Sequence, residues 1–268
     1  MDRTRIEKRI SLALVIILAL LTCLSGILLL LSPGEEIKDE TWERIQQEGV
    51  MRVGMDASYP PFEYIDKERN VAGYDVDLAH ELGRRFDAEI EFVIISFDGL
   101  YDALRVARID VIVSALPFDL RLTQDVAYSH PYFNAGQVLV VREDEGGITG
   151  VDYLRNLRVG VEWGSMGDVE ARQLLRTMDF ELYPYPTPQE ALEMLSEGEV
   201  DAAITDVVST YEFIRERGAV KIVGPPVTDD PYVIATRLNS PVLQQMVNEA
   251  ILELSVNGFL DQLRMQWF

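Results

Sequence analysis

Asp206 ends the apolar run Ala202-Ala203-Ile204 after one polar residue, Thr205. A carboxylate at the end of a buried strand is costly unless something pairs it. A ligand ammonium would pair it well, and so would a hydrogen bond from a neighbouring loop. Asp110-Val111-Ile112-Val113-Ser114 repeats the layout of Asp201 to Asp206. In each, a helix end (Ala103-Leu104, Met194-Leu195) leads to an Asp and an apolar strand that stops at a polar side chain. Glu162 leaves a third apolar strand and opens the turn Gly164-Ser165-Met166-Gly167 before a helix. Such a turn exposes backbone N–H groups and a hydroxyl, a place for an anionic or carbonyl oxygen, or else Ser165 simply caps the helix. Tyr59 and Phe97 each come just after a strand beside Asp56 and Asp98, positions that serve either a core or a ligand.

These residue types suit binding better than catalysis. His80 and His130 have no second His, Cys or carboxylate pair at metal-ligand spacing, so no metal is expected. Trp163 occupies the place of the glycine that a nucleophile elbow around Ser165 requires. No phosphate-binding glycine loop comes after a strand, and no cofactor is expected.

The elements that must position these groups alternate. Val50 to Met55 reads as a strand, ended by a loop that Pro60 and Pro61 enforce. Val76 to Phe86 has a helical period, Ile90 to Ile95 is a strand, and Gly99 to Val106 a helix leading to the Asp110 strand. This alternation predicts an α/β fold with a mostly parallel sheet, whose ligands bind beyond the carboxyl ends of the strands. A second unit runs from Gln137 through strands at Arg158 and Ala202 and helices at 169–178 and 208–215. Tyr232 to Thr236 returns to the first unit, and helices at 241–257 and 259–267 close the chain. The second lobe is thus inserted into the first with two crossings, an arrangement suited to hinge closure.

Ile10 to Leu31 is uncharged and apolar, preceded by Arg3, Arg5, Lys8 and Arg9. That is enough to cross a bilayer as a helix with the basic end in the cytoplasm. The reading is a cytoplasmic tail at 1–9, an uncleaved signal anchor at 10–31 and a stalk at 32–47; cleavage, or lipidation at Cys23, are the alternatives. Lobe 1 then comprises 48–133 and 233–268, and lobe 2 comprises 134–232. Beyond the anchor the chain has no cysteine, hence no disulfides. Without the tail it carries 20 basic and 43 acidic residues, a charge that disfavours nucleic acid as a partner.

The ordered set Val53-Gly54-Met55-Asp56, Tyr59-Pro60-Pro61-Phe62, Gly73-Tyr74-Asp75-Val76-Asp77-Leu78-Ala79 and Ile109 to Ser114 resembles the extracellular solute-binding proteins of family 3. Tyr128 to Phe133, Val159-Gly160-Val161 with Gly164-Ser165, and Val200 to Asp206 continue it in the same order. The resemblance spans about residues 48–268 and implies a two-lobe type II periplasmic-binding-protein fold with a two-strand hinge, here preceded by an N-terminal membrane helix. It implies a polar amino-acid receptor that delivers its ligand to the membrane subunits of an ABC importer. By the family pattern Tyr59 and Phe97 sandwich the ligand, backbone around Ser114, Ala115 and Leu116 meets its α-carboxylate, Ser165 donates from lobe 2, and Asp206 takes its α-ammonium. The family's carboxylate-clamping arginine falls on Leu122, with Arg121 one residue early, so either Arg121 substitutes or the clamp is lost. If it is lost, Asp56, Glu162 and Asp206 make the cleft fit a cationic amino acid or amine. The expectation is a monomeric, membrane-tethered receptor outside the cytoplasm, not an enzyme. The alternatives are a dehydratase on the same scaffold, resembling the cyclohexadienyl dehydratases and with Glu162 as its acid or base, or a ligand-sensing ectodomain.

Overall fold

The computed structural model describes residues 38–268. The expected basic tail (1–9), membrane span (10–31) and the stalk up to residue 37 lie outside the described residues. Among the described residues no helix is long and apolar enough to cross a membrane. The compact unit begins at Asp39, nine residues before the expected start of lobe 1. Its first helix, α1 (Glu40–Glu48), lies within the expected stalk but is fastened to lobe 1. Ile45 is fully buried, Trp42 packs edge-on against Phe86, and Asp39 Oδ2 accepts from the amides of Val242 and Leu243.

Lobe 1 is built on a sheet of five strands: β1 (Val50–Met55), β5 (Glu89–Ile94), β6 (Val111–Ile112), β7 (Val126–Tyr128) and β15 (Ala235–Arg237). Their order across the sheet is β5-β1-β6-β15-β7. Strand β1 pairs parallel with both β5 and β6, so the carboxyl ends of these three strands emerge side by side. Strand β15 returns from lobe 2 and pairs antiparallel with β6 and β7. Between β1 and β5 lie the short strands β2 (Ser58–Tyr59), β3 (Glu63–Ile65) and β4 (Val71–Ala72), then helix α2 (Tyr74–Phe86). Leu78, Ala79 and Leu82 sit one turn apart and are all fully buried, which docks α2 on the sheet. Helix α3 (Leu100–Arg105) joins β5 to β6 and buries Leu100, Ala103 and Leu104.

Gly73 makes the entry to α2 possible. Its φ of 140° is one that side chains resist, and a Cβ there would lie 2.1 Å from Phe62 O. That close approach lets Phe62 O accept from Asp75 N at 2.9 Å and sets Glu63 beside the first turn of α2.

Lobe 2 repeats the plan with strands β9 (Gln137–Arg142), β10 (Arg158–Glu162), β11 (Glu181–Tyr185), β12 (Ala202–Asp206) and β13 (Val220–Val223). Their order is β11-β10-β12-β9-β13. Strand β10 is parallel to β11 and β12, and β9 is antiparallel to β12 and β13. Helix α4 (Met166–Leu174) starts three residues earlier than its apolar pattern indicates, because Ser165 caps it. Helix α5 (Pro188–Glu197) joins β11 to β12. The two crossings between lobes, β8 (Phe133–Asn134) and β14 (Pro231–Tyr232), pair antiparallel as the two-strand hinge.

Candidate functional site

A cavity of about 310 Å³ opens at the carboxyl ends of β5, β1 and β6. It is lined by Asp56, Ser58, Tyr59, Glu63, Phe97, Ser114, Ala115, Pro117 and Tyr232. Each of the three parallel strands supplies a residue from just past its end: Asp56 after β1, Phe97 after β5, Ser114 after β6. This is where an open α/β sheet leaves a crevice, since its loops diverge there.

Asp56 ties the three loops together. Its amide donates to Ser114 Oγ at 2.9 Å, its Oδ2 accepts from Phe97 N at 2.8 Å, and its Oδ1 accepts from Ser58 Oγ at 2.7 Å. The carboxylate is thereby fixed in place while half-buried at the rim. Tyr59 and Phe97 supply apolar walls that remain 45% and 41% exposed. Tyr59 lies nearly parallel to Phe62, 5.6 Å between ring centres, which holds its ring without covering its outer face.

Glu63, absent from the sequence expectations, forms the floor. Only 1% exposed, it accepts from Ser114 Oγ at 2.8 Å through Oε1 and interacts electrostatically with the fully buried Asp75. Burial pushes the Glu63 carboxyl far above the usual carboxylate range, and the neighbouring Asp75 charge adds to this. Burial also raises Asp75, though less, because Ala115 N, the Tyr132 hydroxyl and Glu63 all stabilise its charge. Both shifts run upward, so the pair favours keeping a proton rather than two charges. A Glu directly after Pro60-Pro61-Phe62 is visible in the sequence; its partner twelve residues on is not.

Five expected residues, Asp56, Tyr59, Phe97, Ser114 and Ala115, come together in this cavity. Part of the Ser114–Leu116 backbone expected to meet a carboxylate is engaged within the protein. Ala115 N already donates to Asp75 Oδ2, with Ala115 at φ 39°, and Leu116 is buried with its carbonyl on Val233 N. Arg121 sits in a short 3₁₀ turn capped by Asp119, which accepts from Arg121 N, Nε and Nη2. Its side chain is 88% exposed and no guanidinium lines the cavity.

Glu162, Ser165, Met166 and Asp206 lie at the carboxyl ends of β10 and β12 in lobe 2 and do not line the cavity. Ser165 Oγ accepts from Asp168 N at 3.2 Å and donates to Glu162 O at 2.8 Å. Asp206 Oδ1 accepts from Ser209 N at 2.8 Å, capping helix α6 (Val207–Arg217). Ser165 and Asp206 therefore each carry the structural role that was the alternative to ligand binding. Trp163 and Met166 stand beside them, 73% and 52% exposed. Among the described residues no group of His, Cys and carboxylates is placed to hold a metal ion.

The chain has well-covered relatives. It is 29% identical over 224 residues to the putative ABC transporter arginine-binding protein 2 of Escherichia coli strain K12, covering 82% of this chain and 90% of that one. It is 30% identical over 226 residues to the L-arginine-binding protein of Pseudomonas aeruginosa, covering 81% and 87%. Among solved structures, an ancestral cationic amino acid solute binding protein matches at 29% identity and a TM-score of 0.61, covering 85% of this chain and all of that one. An ancestral cyclohexadienyl dehydratase shares the fold, with a TM-score of 0.77 at 21% identity over 86% of this chain and 96% of that one. The family model of bacterial extracellular solute-binding proteins, family 3, matches residues 51–268, and the chain belongs to that family.

Proposed function

We propose that this chain is an extracytoplasmic receptor for a cationic amino acid or a related amine, which it delivers to an ABC importer. The carrying observation is the cavity itself: two carboxyl groups, Asp56 and Glu63, between half-exposed aromatic rings, with no cation among its lining residues. An ammonium or guanidinium gains charge-assisted hydrogen bonds from the carboxyls and cation–π attraction from the rings. The relatives named for arginine support the same ligand class. Closure of lobe 2 on the β8–β14 hinge would bring Glu162, Trp163 and Asp206 over the bound ligand. The apolar run 10–31 serves as the anchor that keeps the receptor at the membrane.

The test is thermal unfolding of the full chain in detergent micelles with L-arginine, L-lysine, L-ornithine, putrescine, L-glutamine and L-glutamate. A ligand at a hundred times its Kd adds about 2.7 kcal/mol. Stabilisation by the cationic compounds alone is the expected result. Stabilisation by L-glutamate or L-glutamine alone would overturn the cationic reading, and no shift with any compound would overturn the amino-acid reading.

A second reading rests on Glu63. A carboxyl kept protonated in a ligand cavity is what a general acid needs. Turnover of a cyclohexadienyl acid to its aromatic product would assign the chain to an enzyme instead.

A further inference from the structure

Glu63 and Asp75 are two carboxyls with less than one full set of partners. Glu63 Oε1 accepts from Ser114 Oγ, and Asp75 Oδ2 accepts from both Ala115 N and the Tyr132 hydroxyl. Glu63 Oε2 and Asp75 Oδ1 are left over, fully buried, with no other donor. A single proton held between these two oxygens satisfies both at once, and nothing else nearby does.

The groups that face the pair cannot replace that proton. Asp56 and Tyr59 approach from the loop after β1, and Tyr74 from the first turn of α2. Ser114 approaches from the end of β6, and Tyr132 and Tyr232 from the hinge crossings. All are acidic or neutral. Arg264 acts on Tyr74, where Asp261 opposes it, and is not among the groups acting on Glu63 or Asp75. Glu63 lines the cavity while Asp75 is fully buried behind it, and no residue lining the cavity is cationic.

We propose that the Glu63–Asp75 pair is a proton-exchanging floor of the cleft: it gives up its shared proton when a cationic group settles over Glu63 and keeps it when the ligand is neutral. The reason is electrostatic. Two carboxylates in contact cannot both ionise in a buried site unless a third charge offsets them. A guanidinium or ammonium in the cavity is that third charge, and closing lobe 2 over it removes the water that would screen it. With the proton gone, the cation takes over the role of neutralising the pair. The inference rests on the cationic-ligand reading above.

Proton release is measured directly by titrating L-arginine into the full chain in detergent micelles, in buffers of different ionisation enthalpy at pH 6, 7 and 8. The expected result is release approaching about one proton per ligand, with affinity rising up to about tenfold per pH unit. L-Glutamine, where it binds, should release none. In Glu63→Gln the amide N–H takes the place of the shared proton and the amide oxygen still accepts from Ser114. That variant should fold; because Glu63 is itself one of the ligand-facing carboxyls, its affinity for L-arginine should fall, and the binding that remains should release no proton and be independent of pH.

Asp75→Asn fixes the hydrogen from the other side and should likewise abolish release, so the conclusion does not hang on one variant. Binding of L-arginine to the unaltered chain without proton release overturns this proposal and leaves the cationic-ligand reading standing. Undiminished release in both variants also overturns it, because the proton then comes from elsewhere. No binding of any cationic probe overturns both.

Discussion

Arg52 and Asp110 are locked together across β1 and β6. Arg52 N donates to Asp110 Oδ2 at 2.8 Å, Asp110 N donates back to Arg52 O at 2.9 Å, and Arg52 Nη2 reaches Asp110 Oδ1 at 2.8 Å. Arg158 and Asp201 make the same three contacts across β10 and β12, at 2.9, 2.8 and 2.8 Å. In both lobes the pair fastens the amino ends of two adjacent strands, the end away from the cleft. The repeated Asp of the sequence is therefore a strand clasp, and Ser114, which closes the first repeat, lines the cavity.

The two clasps should differ in worth. Asp110 is fully buried and also meets Arg44, with Arg237 close by. Asp110→Ala removes the carboxylate that Arg52 pairs with and that neutralises Arg44 and Arg237, and should cost about 3–5 kcal/mol. The Asp201–Arg158 pair is 24% and 38% exposed, so Asp201→Ala should cost only about 1 kcal/mol after screening. Urea unfolding of the full chain in detergent measures both, and equal losses would refute the burial argument.

Glu63→Gln should raise stability. Burial holds the Glu63 and Asp75 carboxyls above their ordinary range. A carboxyl raised on folding contributes stability below its unfolded pKa and loses it as pH climbs through the folded value. Above about pH 5 the unfolded chain releases a proton that the native pair keeps, which favours unfolding. The Gln variant has no such proton to lose. Its advantage should be absent near pH 4 and reach at least about 1 kcal/mol at pH 8. A variant less stable than the original chain at pH 8 would show that the carboxyls do not share a proton.

Much of the fold is legible because its central strands are apolar on both faces. Val50–Met55 is readable to the residue for that reason, and the start of the second unit at Gln137 coincides with the first residue of β9. Strands β11 and β13 are hidden because they are the two edges of the lobe 2 sheet. Glu181–Tyr185 is mostly exposed and carries Pro184, which only an edge tolerates, and Val220–Val223 is interrupted by Lys221. In the site, Asp56, Tyr59, Phe97 and Ser114 are legible from their places just beyond strand ends. The sequence leaves Arg121 open between clamp and bystander, and here Asp119, two residues earlier, holds it in a local turn. Glu63 stands out only by its place after Pro60-Pro61-Phe62, and nothing local marks it as buried; its burial is made by Gly73, Asp75 and Tyr132 in three dimensions.

Tyr59 and Phe97 should matter to binding far more than to stability. Their rings are partly exposed in the open cavity, so truncation removes little core. Each ring over a ligand cation is worth about 1 kcal/mol, so Tyr59→Ala and Phe97→Ala should each weaken L-arginine binding about fivefold. Unfolding midpoints should stay nearly constant. A large stability loss with unchanged affinity would make these residues structural.

Gly167→Ala tests how tightly α4 is seated. A Cβ at Gly167 would fall 2.7 Å from Ile204 O and 2.8 Å from Gln137 Oε1. Either β12 or the first turn of α4 must move, at a cost of about 1–3 kcal/mol. The movement also disturbs the Ser165 cap, so binding should weaken along with stability. Urea unfolding together with calorimetry would reveal whether one falls without the other.

Trp163 should report lobe closure. It is the most exposed of the three tryptophans; Trp42 packs on Phe86, and Trp267 donates its indole N–H to Asp77 at 2.9 Å, both within lobe 1. Its amide is fixed to Tyr185 O at 2.8 Å, so the backbone is held while the indole stands in solvent at the mouth of lobe 2. Closing lobe 2 over a ligand would move that indole from water to the aromatic walls formed by Tyr59 and Phe97. Adding L-arginine to the full chain should therefore shift tryptophan emission to shorter wavelength. Trp163→Phe should abolish the shift, with calorimetry confirming that ligand is still bound. A shift that survives in Trp163→Phe would place the moving surface elsewhere, and no shift despite measured binding would mean that the lobes do not close over the ligand.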